Sequence, residues 1–315
     1  MNNAIAIIGA GVAGLAAAEC LRSKGVKVTI FEKSQGVGGR MATRRRDSLS
    51  FDHGAQYLTA RTPSFIDEVR RWQEEGFADI WFDDKLVGVP GMTALAQDLA
   101  RKSEVVFGQQ ISQLHHDETG WSLETEDDSD ARYGKAKYGA VVLAIPAPQA
   151  LALAKTAGID LPELERPVYA PCLAMMLAFE QAVPSIPDRL LPDDPVIAWV
   201  GRNSSKPGRM TAPETFVVHA TPEWSRRHLN HTREESGDLL LEAFYELTGE
   251  RQKPTALMGH RWRYALVEEA LGQSCVWRDD VRLGACGDWC LGPRVESAFE
   301  SGVAMAEQII NAGKS

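Results

Sequence analysis

A chain of 315 residues that is 44% hydrophobic and 24% charged has an ordinary globular composition and room for about two domains, which excludes disorder, collagen-like repeats and long coiled coils. Its 34 Lys and Arg stand against 43 Asp and Glu, a formal charge of −9, the reverse of the basic excess that a nucleic-acid binder uses. Cys20, Cys172, Cys275, Cys286 and Cys290 form no Cys-x-x-Cys pair, so the set reads as reduced cytoplasmic thiols, with neither a disulfide framework nor a zinc site.

The first 33 residues read as one β-α-β unit. Residues 4–8 are a continuous apolar run, as in a strand buried on both faces of a parallel sheet. A glycine turn follows, then a helix over 15–23 rich in Ala and Leu, closed by Gly25, then a second strand over 26–31. Residues 4–18 are uncharged, but no Lys or Arg precedes them and the run is too short to span a bilayer, so neither a secretory leader nor a membrane span is expected. Helical spacing places Phe65, Val69 and Trp72 on one face of residues 64–74, and Pro90-Gly91 introduces a helix over 92–101. Residues 105–114 and 120–125 read as strands, the acidic stretch 124–130 as a hairpin turn, and 141–145 as a second wholly apolar strand stopped by Pro146.

From about residue 151 to 275 prolines become frequent and strands alternate (173–179, 215–220), with an amphipathic helix over 233–247. A buried-strand pattern returns over 281–288 and a helix over 295–312. The expectation is an α/β fold with an inserted α+β region. Residues 1–61, 90–150 and 276–315 would form a Rossmann-type dinucleotide domain, and 62–89 with 151–275 a smaller substrate domain.

Gly9-x-Gly11-x-x-Gly14 sits between a strand and a helix, and Glu32 stands 21 positions after Gly11 at the end of the next strand. That is the dinucleotide fingerprint. Gly9 permits the turn, Gly11 lets a pyrophosphate approach the backbone, Gly14 lets helix and strand pack, and the acid takes a ribose. NAD and FAD both use it, so the choice rests on two further segments. Gly38-Gly39-Arg40 follows the second strand and resembles the second flavin-contact segment of the flavin amine-oxidase superfamily. Gly287-Asp288, followed by Val295-Glu296-Ser297-Ala298 and a helix, resembles its C-terminal flavin motif.

With Phe51-Asp52-His53-Gly54-Ala55-Gln56-Tyr57 and Pro90-Gly91-Met92-Thr93-Ala94-Leu95, these segments resemble the renalase family within that superfamily. The resemblance implies noncovalent FAD and a two-domain fold like that of p-hydroxybenzoate hydroxylase. It implies oxidation of 2- or 6-dihydro isomers of NAD(P)H to NAD(P)+ with O2 becoming H2O2, so the partners would be a small dinucleotide substrate and O2, with no nucleic acid and no membrane. Ala13, Glu32, Lys33, Arg40, Gln56, Tyr57, Ile111, Asp288 and Ala298 would touch FAD, alongside Gly9, Gly11, Gly14 and Gly39 of the glycine turns. Tyr57, Leu58, Thr59, Ala60, Arg61 and Val295 would line the substrate cavity, with Arg61 on a substrate phosphate.

His219 either faces that cavity or is a hydrogen-bonded core histidine. Trp262, Arg263 and Tyr264 would lie where the chain turns back toward the flavin domain, either stacking on a nicotinamide or packing in the core; Trp289 is expected in the cavity wall. No general base, metal site or lysine beside the flavin stands out in the sequence. Hydride transfer to flavin N5 from a misplaced dihydronicotinamide needs no proton abstraction, because loss of hydride restores the aromatic ring. The alternatives are an amine oxidase or related desaturase, and a noncatalytic binding module of the same fold.

Overall fold

Short β-branched runs form the centre of the molecule. Ile5–Ile8 (β1) is buried along its whole length in the computed structural model, which describes residues 4–126 and 136–313. The chain turns directly into the helix Val12–Ser23 (α1), three residues earlier than the composition suggested, and returns as Val28–Glu32 (β2), parallel to β1. The hairpin of Thr43–Arg46 (β3) and Leu49–Asp52 (β4) comes next. The helix Pro63–Glu74 (α2), the small hairpin Ala78–Phe82 (β5) and Lys85–Gly88 (β6), and the helix Thr93–Ala100 (α3) follow. Glu104–Phe107 (β7) pairs with β2, while Ile111–Asp117 (β8) and Gly120–Thr125 (β9) pair with each other. Ala140–Leu143 (β10) flanks β1 and leads to the helix Ala147–Thr156 (α4).

Val168–Phe179 (β11), Arg189–Leu190 (β12), Ile197–Arg202 (β13) and Glu214–Ala220 (β14) open a second sheet. The helices Pro222–Arg227 (α5) and Arg233–Thr248 (α6) and the long strand Ala256–Glu269 (β15) complete it. A reciprocal Thr232–Glu235 cap fixes the start of α6, and Gly249 at φ +74° ends it. Val276–Arg278 (β16) and Leu283–Ala285 (β17) rejoin the first sheet before the helix Val295–Ala312 (α7).

The first sheet runs β16-β17-β10-β1-β2-β7, parallel except for β16, with helices on its faces; the second, β12-β13-β14-β11-β15, is antiparallel throughout. This is the α/β architecture with a Rossmann-like unit that the sequence led us to expect. Ile7, Leu15, Trp72 and Met305 belong to the core on one face of the first sheet, Phe31, Trp121, Leu143 and Trp289 to the core on the other. Each wholly buried large side chain there contributes about 1.5–3 kcal/mol. Two helices meet backbone to backbone: a Cβ on Gly302 of α7 would lie 2.1 Å from the Ala13 carbonyl oxygen of α1. Among the described residues, no helix is long and apolar enough to cross a membrane.

Local differences from expectation have local causes. The single strand expected over 105–114 is two strands in different sheets, because Gly108 at φ +70° breaks the run. The hairpin turn lies at 117–120, where Asp117 accepts from the Thr119 N–H at 2.8 Å and Gly120 takes φ +115°. Glu124 and Thr125 therefore end β9 instead of forming the turn, and residues 127–130 of the acidic stretch lie outside the described residues. The run 281–288 yields only the short β17, since Arg282 has φ +55° and Asp288 opens a 3-10 turn. Phe65, Val69 and Trp72 are buried together as expected. Phe65 meets Phe299 at 5.2 Å and Trp72 Nε1 donates to Asp98, and all three belong to the core of the first sheet, so residues 62–89 share that core instead of that of the second.

Candidate flavin site

At the nucleotide end, geometry explains each glycine of the first turn. Gly9 has φ +105°, and a Cβ there would come within 2.5 Å of the Ala144 carbonyl oxygen. One on Gly14 would lie 2.1 Å from the Gly9 carbonyl oxygen. Gly11 differs, because no described atom stands within 4 Å of where its Cβ would be. No packing against the protein demands a glycine at that position. No side chain caps α1, which leaves the bare backbone and N–H groups of a helix start open to a phosphate. Gly39 at φ +54° comes back over the same turn, its Cβ position 3.7 Å from the Gly11 Cα.

Glu32 closes β2 nearly buried, with Oε2 accepting from the Ala10 N–H at 2.9 Å and Oε1 from the Ser34 N–H at 2.8 Å and hydroxyl at 2.6 Å. The carboxylate thus braces the glycine turn from below. Lys33 is exposed beside it. Ile111 starts β8 almost buried, next to Gln109, whose N–H donates to the Glu32 carbonyl at 3.0 Å.

The second and third segments meet through a fork. Arg40 Nη1 and Nη2 donate to the two oxygens of Asp288 at 2.8 and 2.6 Å, 248 positions apart in sequence. The expected phosphate arginine and the expected ribityl aspartate therefore hold each other. Ala298 lies on the first turn of α7, half-buried, one turn after the half-buried Val295. Between them Glu296 is buried, and its Oε1 accepts from the Arg61 and Thr62 N–H groups at 2.6 and 2.7 Å. That carboxylate pins residues 61–62 to the helix start and leaves the Arg61 side chain exposed.

The segment expected to face the flavin ring is built around a buried aspartate. Asp52 Oδ1 accepts from the Thr43 hydroxyl at 2.7 Å and the Met92 N–H at 3.0 Å; Oδ2 faces Lys206 Nζ at 3.3 Å and Arg209 Nη2 at 2.5 Å. Burial opposes its charge, but the two cations hold the Asp52 carboxyl far below the usual carboxylate range. Burial pushes Lys206 down to about 8. Gln56 completes the knot: its Nε2 donates to the Asp52 carbonyl at 2.5 Å and its Oε1 accepts from Lys206 at 3.3 Å. A Cβ on Gly54 would lie 2.0 Å from the Arg40 carbonyl oxygen, so residues 54–57 cross directly over the Gly-Gly-Arg segment.

His53 is the hinge to the second sheet. Its carbonyl accepts from Trp262 Nε1 at 3.0 Å and from His219 Nε2 at 3.2 Å, which requires the Nε2–H form of His219. Burial pushes both His53 and His219 down to about 4, so both are neutral at physiological pH. Of the two readings left open for His219, the structure shows the hydrogen-bonded one. Tyr57 stands half-buried, with Phe82 and Trp199 both at 5.9 Å and Lys85 5.7 Å from its ring centre. Thr59 and Ala60 are half-buried beyond it.

Three expected positions need correction. Trp289 is wholly buried, its Nε1 donating to the Ile145 carbonyl at 3.2 Å, so it is a core ring under β10 and not a cavity wall. Leu58 is 3% exposed and bridges backbone to Leu86, which turns it into the same core as α2. Trp262, Arg263 and Tyr264 lie mid-strand in β15, not at a return of the chain; pleating puts Trp262 on His53 and leaves Arg263 exposed. Sequence reasoning missed Asp52, Lys206 and Arg209, and the aromatic neighbours Trp81, Phe82 and Trp199. Lys206 and Arg209 sit in the polar run Asn203-Ser204-Ser205-Lys206-Pro207-Gly208-Arg209, which has the signature of a solvated loop. All five cysteines are free.

A glycine turn on an uncapped helix, a braced acid and a second glycine pair laid over the first define a dinucleotide-binding protein. Residues 7–71 match the NAD(P)-binding Rossmann-like domain, and residues 73–310 match the family of flavin containing amine oxidoreductases. The chain belongs to that flavin-containing family, and FAD is its cofactor. The open Gly11 backbone and the free helix start fit a diphosphate, and Glu32 fits a ribose.

The chain is similar to 4,4'-diapophytoene desaturases, at 38% identity over 111 residues in Staphylococcus aureus and 36% over 112 in Staphylococcus haemolyticus. Each match covers 32% of this chain and 22% or 21% of the relative, so the likeness spans about a fifth of those proteins. Its fold is similar to that of a protein assigned as a protoporphyrinogen oxidase from Exiguobacterium sp. 255-15 (TM-score 0.78, 15% identity, all of both chains). It is also similar to that of cyclohexylamine oxidase from Brevibacterium oxydans IH-35A (TM-score 0.72, 12% identity, all of both chains).

Proposed function

We propose that this flavoprotein is a renalase-like oxidase that converts 2- or 6-dihydro isomers of NAD(P)H to NAD(P)+. Bound FAD, held without a covalent link, supplies the hydride acceptor at N5 and passes the electrons to O2 as H2O2. One observation carries the reading: each carboxylate described at the ring end is already committed. Asp52 is locked between Lys206 and Arg209, Asp288 is forked to Arg40, and Glu296 holds the backbone of 61–62 through Oε1 while its Oε2 faces Arg294 at 3.6 Å. Burial holds the nearby His53 and His219 down to about 4, which makes them weak bases, and the Nε2 proton of His219 is given to a carbonyl. Such a site orients and desolvates a donor, and a dihydropyridine that gains aromaticity on losing hydride asks for no more.

In this reading Tyr57, Thr59, Ala60 and Val295 border the nicotinamide, and Arg61 meets a substrate phosphate. The indole N–H of Trp199, buried and without a partner among the described residues, is a donor for the carboxamide oxygen. The aromatic set of Tyr57, Trp81, Phe82 and Trp199 favours a second reading, oxidation of an amine enclosed by rings. A panel of dihydropyridine isomers and primary amines, each mixed anaerobically with the oxidised flavoprotein, separates the two. Bleaching by dihydropyridines alone supports the first reading, and bleaching by amines alone supports the second.

A further inference from the structure

The arginine run of the β3–β4 hairpin has no part in the site described above. Arg44, Arg45 and Arg46, with Arg233 and His260, line a groove of about 550 Å3 between that hairpin and the layer of α6 on β15. All four arginines are exposed, and among the described residues none forms an ion pair. Arg40, Arg71, Arg202, Arg209, Arg226 and Arg278, by contrast, each hold a carboxylate. Glu234 and Asp238 stand on the groove's wall, also without an ion pair among the described residues.

The floor is of a different character. Met176, Leu257 and Met258 supply apolar surface, and the backbone fixes its depth. A Cβ on Gly259 would lie 1.8 Å from the Arg233 carbonyl oxygen, so the first turn of α6 rests directly on β15 and Arg233 cannot drift from the groove. At the inner end His260 meets His53 edge-on at 4.6 Å, next to the loop that leads to Gly54–Tyr57. Burial first, then repulsion from the protonated form of His53 and from Arg233 and Arg44, pushes His260 down to about 3, so the two arginine fields meet at this ring.

Unpaired guanidiniums repel one another, and their planar forks match phosphate oxygens. A flat apolar floor suits a purine, and the volume falls within the range of pockets that bury small organic ligands. We propose that this groove is a second ligand site, which takes a nucleoside diphosphate with its phosphates on Arg44, Arg46 and Arg233 and its base over Met258. That moiety has two sources: the adenosine diphosphate end of a dinucleotide substrate, which rests on the function proposed above and would take the place of Arg61 as its phosphate contact, or a free nucleotide, which does not.

The test titrates ADP into the FAD-loaded protein by calorimetry, for the native sequence, the Arg44→Ala/Arg46→Ala double variant, Arg233→Ala and the Arg44→Lys/Arg46→Lys pair. The groove predicts ADP binding weakened about tenfold or more by either alanine set, with partial retention in the lysine pair. The flavin spectrum and melting temperature should be unchanged, since these side chains are exposed. In parallel, anaerobic flavin reduction by a dihydro-NAD isomer is compared with reduction by the matching phosphate-free riboside. A rise in half-saturating concentration for the dinucleotide alone assigns the groove to the substrate. An unchanged value with ADP binding lost assigns it to a free nucleotide. Absence of bleaching by every dihydropyridine removes the proposed function and leaves ADP binding to judge the groove. ADP affinity equal in all variants, or no ADP binding to the native sequence, overturns the site.

Discussion

The two ends of the flavin site are built on opposite principles. At the nucleotide end the backbone does the work: glycines clear space, a helix start offers N–H groups, and one acid braces the turn from 22 positions away. At the ring end side chains from two distant segments knot together, Asp52 and Gln56 from one and Lys206 and Arg209 from another, 150 or more positions on. A backbone site tolerates few glycine changes but is written locally. A side-chain knot is high in energy, and each member depends on all the others.

Asp52→Asn should have the largest effect, since it leaves Lys206 and Arg209 without their shared counter-charge in a fully buried place. Breaking a buried pair costs on the order of 3–5 kcal/mol, so the denaturant midpoint should fall sharply with the FAD motifs untouched. A loss below about 1 kcal/mol would mean that Asp52 contributes no more than a surface pair.

Glu32→Ala probes the other end. The charge-assisted bonds that brace the turn disappear and, in the proposed role, so do those to a ribose, so FAD binding to apoprotein should weaken by about 1.5–3 kcal/mol. Global stability should change less than in Asp52→Asn. Unchanged FAD affinity in a titration would remove the ribose role.

Acid should strike the ring end first. His53 and His219 are near 4 in the folded chain and near their ordinary value of 6.5 when unfolded. Their neutral burial is therefore fully stabilising above about pH 6.5 and is lost as pH falls from there through about 4. Together they account for a few kcal/mol, read as a drop in melting temperature across that window. Asp52, whose carboxyl is lowered, begins to lose its contribution as pH falls into the ordinary carboxylate range and goes on losing it below. A melting temperature flat between pH 6.5 and 4 would contradict the burial of neutral histidines.

The smallest effect is expected at the rim. Arg61→Ala should raise KM for a dinucleotide substrate while leaving kcat nearly unchanged, because a phosphate contact is felt equally in ground and transition states. A fall in kcat of similar size would move Arg61 into positioning the reacting carbon.

The contrast also explains what the sequence discloses. Gly9, Gly11, Gly14 and Glu32 are legible because their spacing is imposed by one β-α-β unit, and Val295–Ala312 because one long amphipathic pattern defines it. Trp289 misled because adjacency to Asp288 says nothing about which face a 3-10 turn buries. Leu58 misled because its neighbours Tyr57 and Thr59 point elsewhere, and a register cannot be read from a loop. Lys206 and Arg209 were hidden for a stronger reason. Their run is polar and rich in turn residues, and only the fold shows that it is pressed onto Asp52.

In the proposed function, a site whose carboxylates are already committed oxidises a donor that needs no deprotonation. Stopped-flow absorbance at the oxidised flavin band, under anaerobic conditions and across neutral pH, tests it most directly. The account predicts rapid bleaching by 2- or 6-dihydro isomers of NAD(P)H, with little dependence of the reductive step on pH near neutrality. Rapid bleaching by benzylamine or another simple amine, with none by the dihydropyridines, would contradict it.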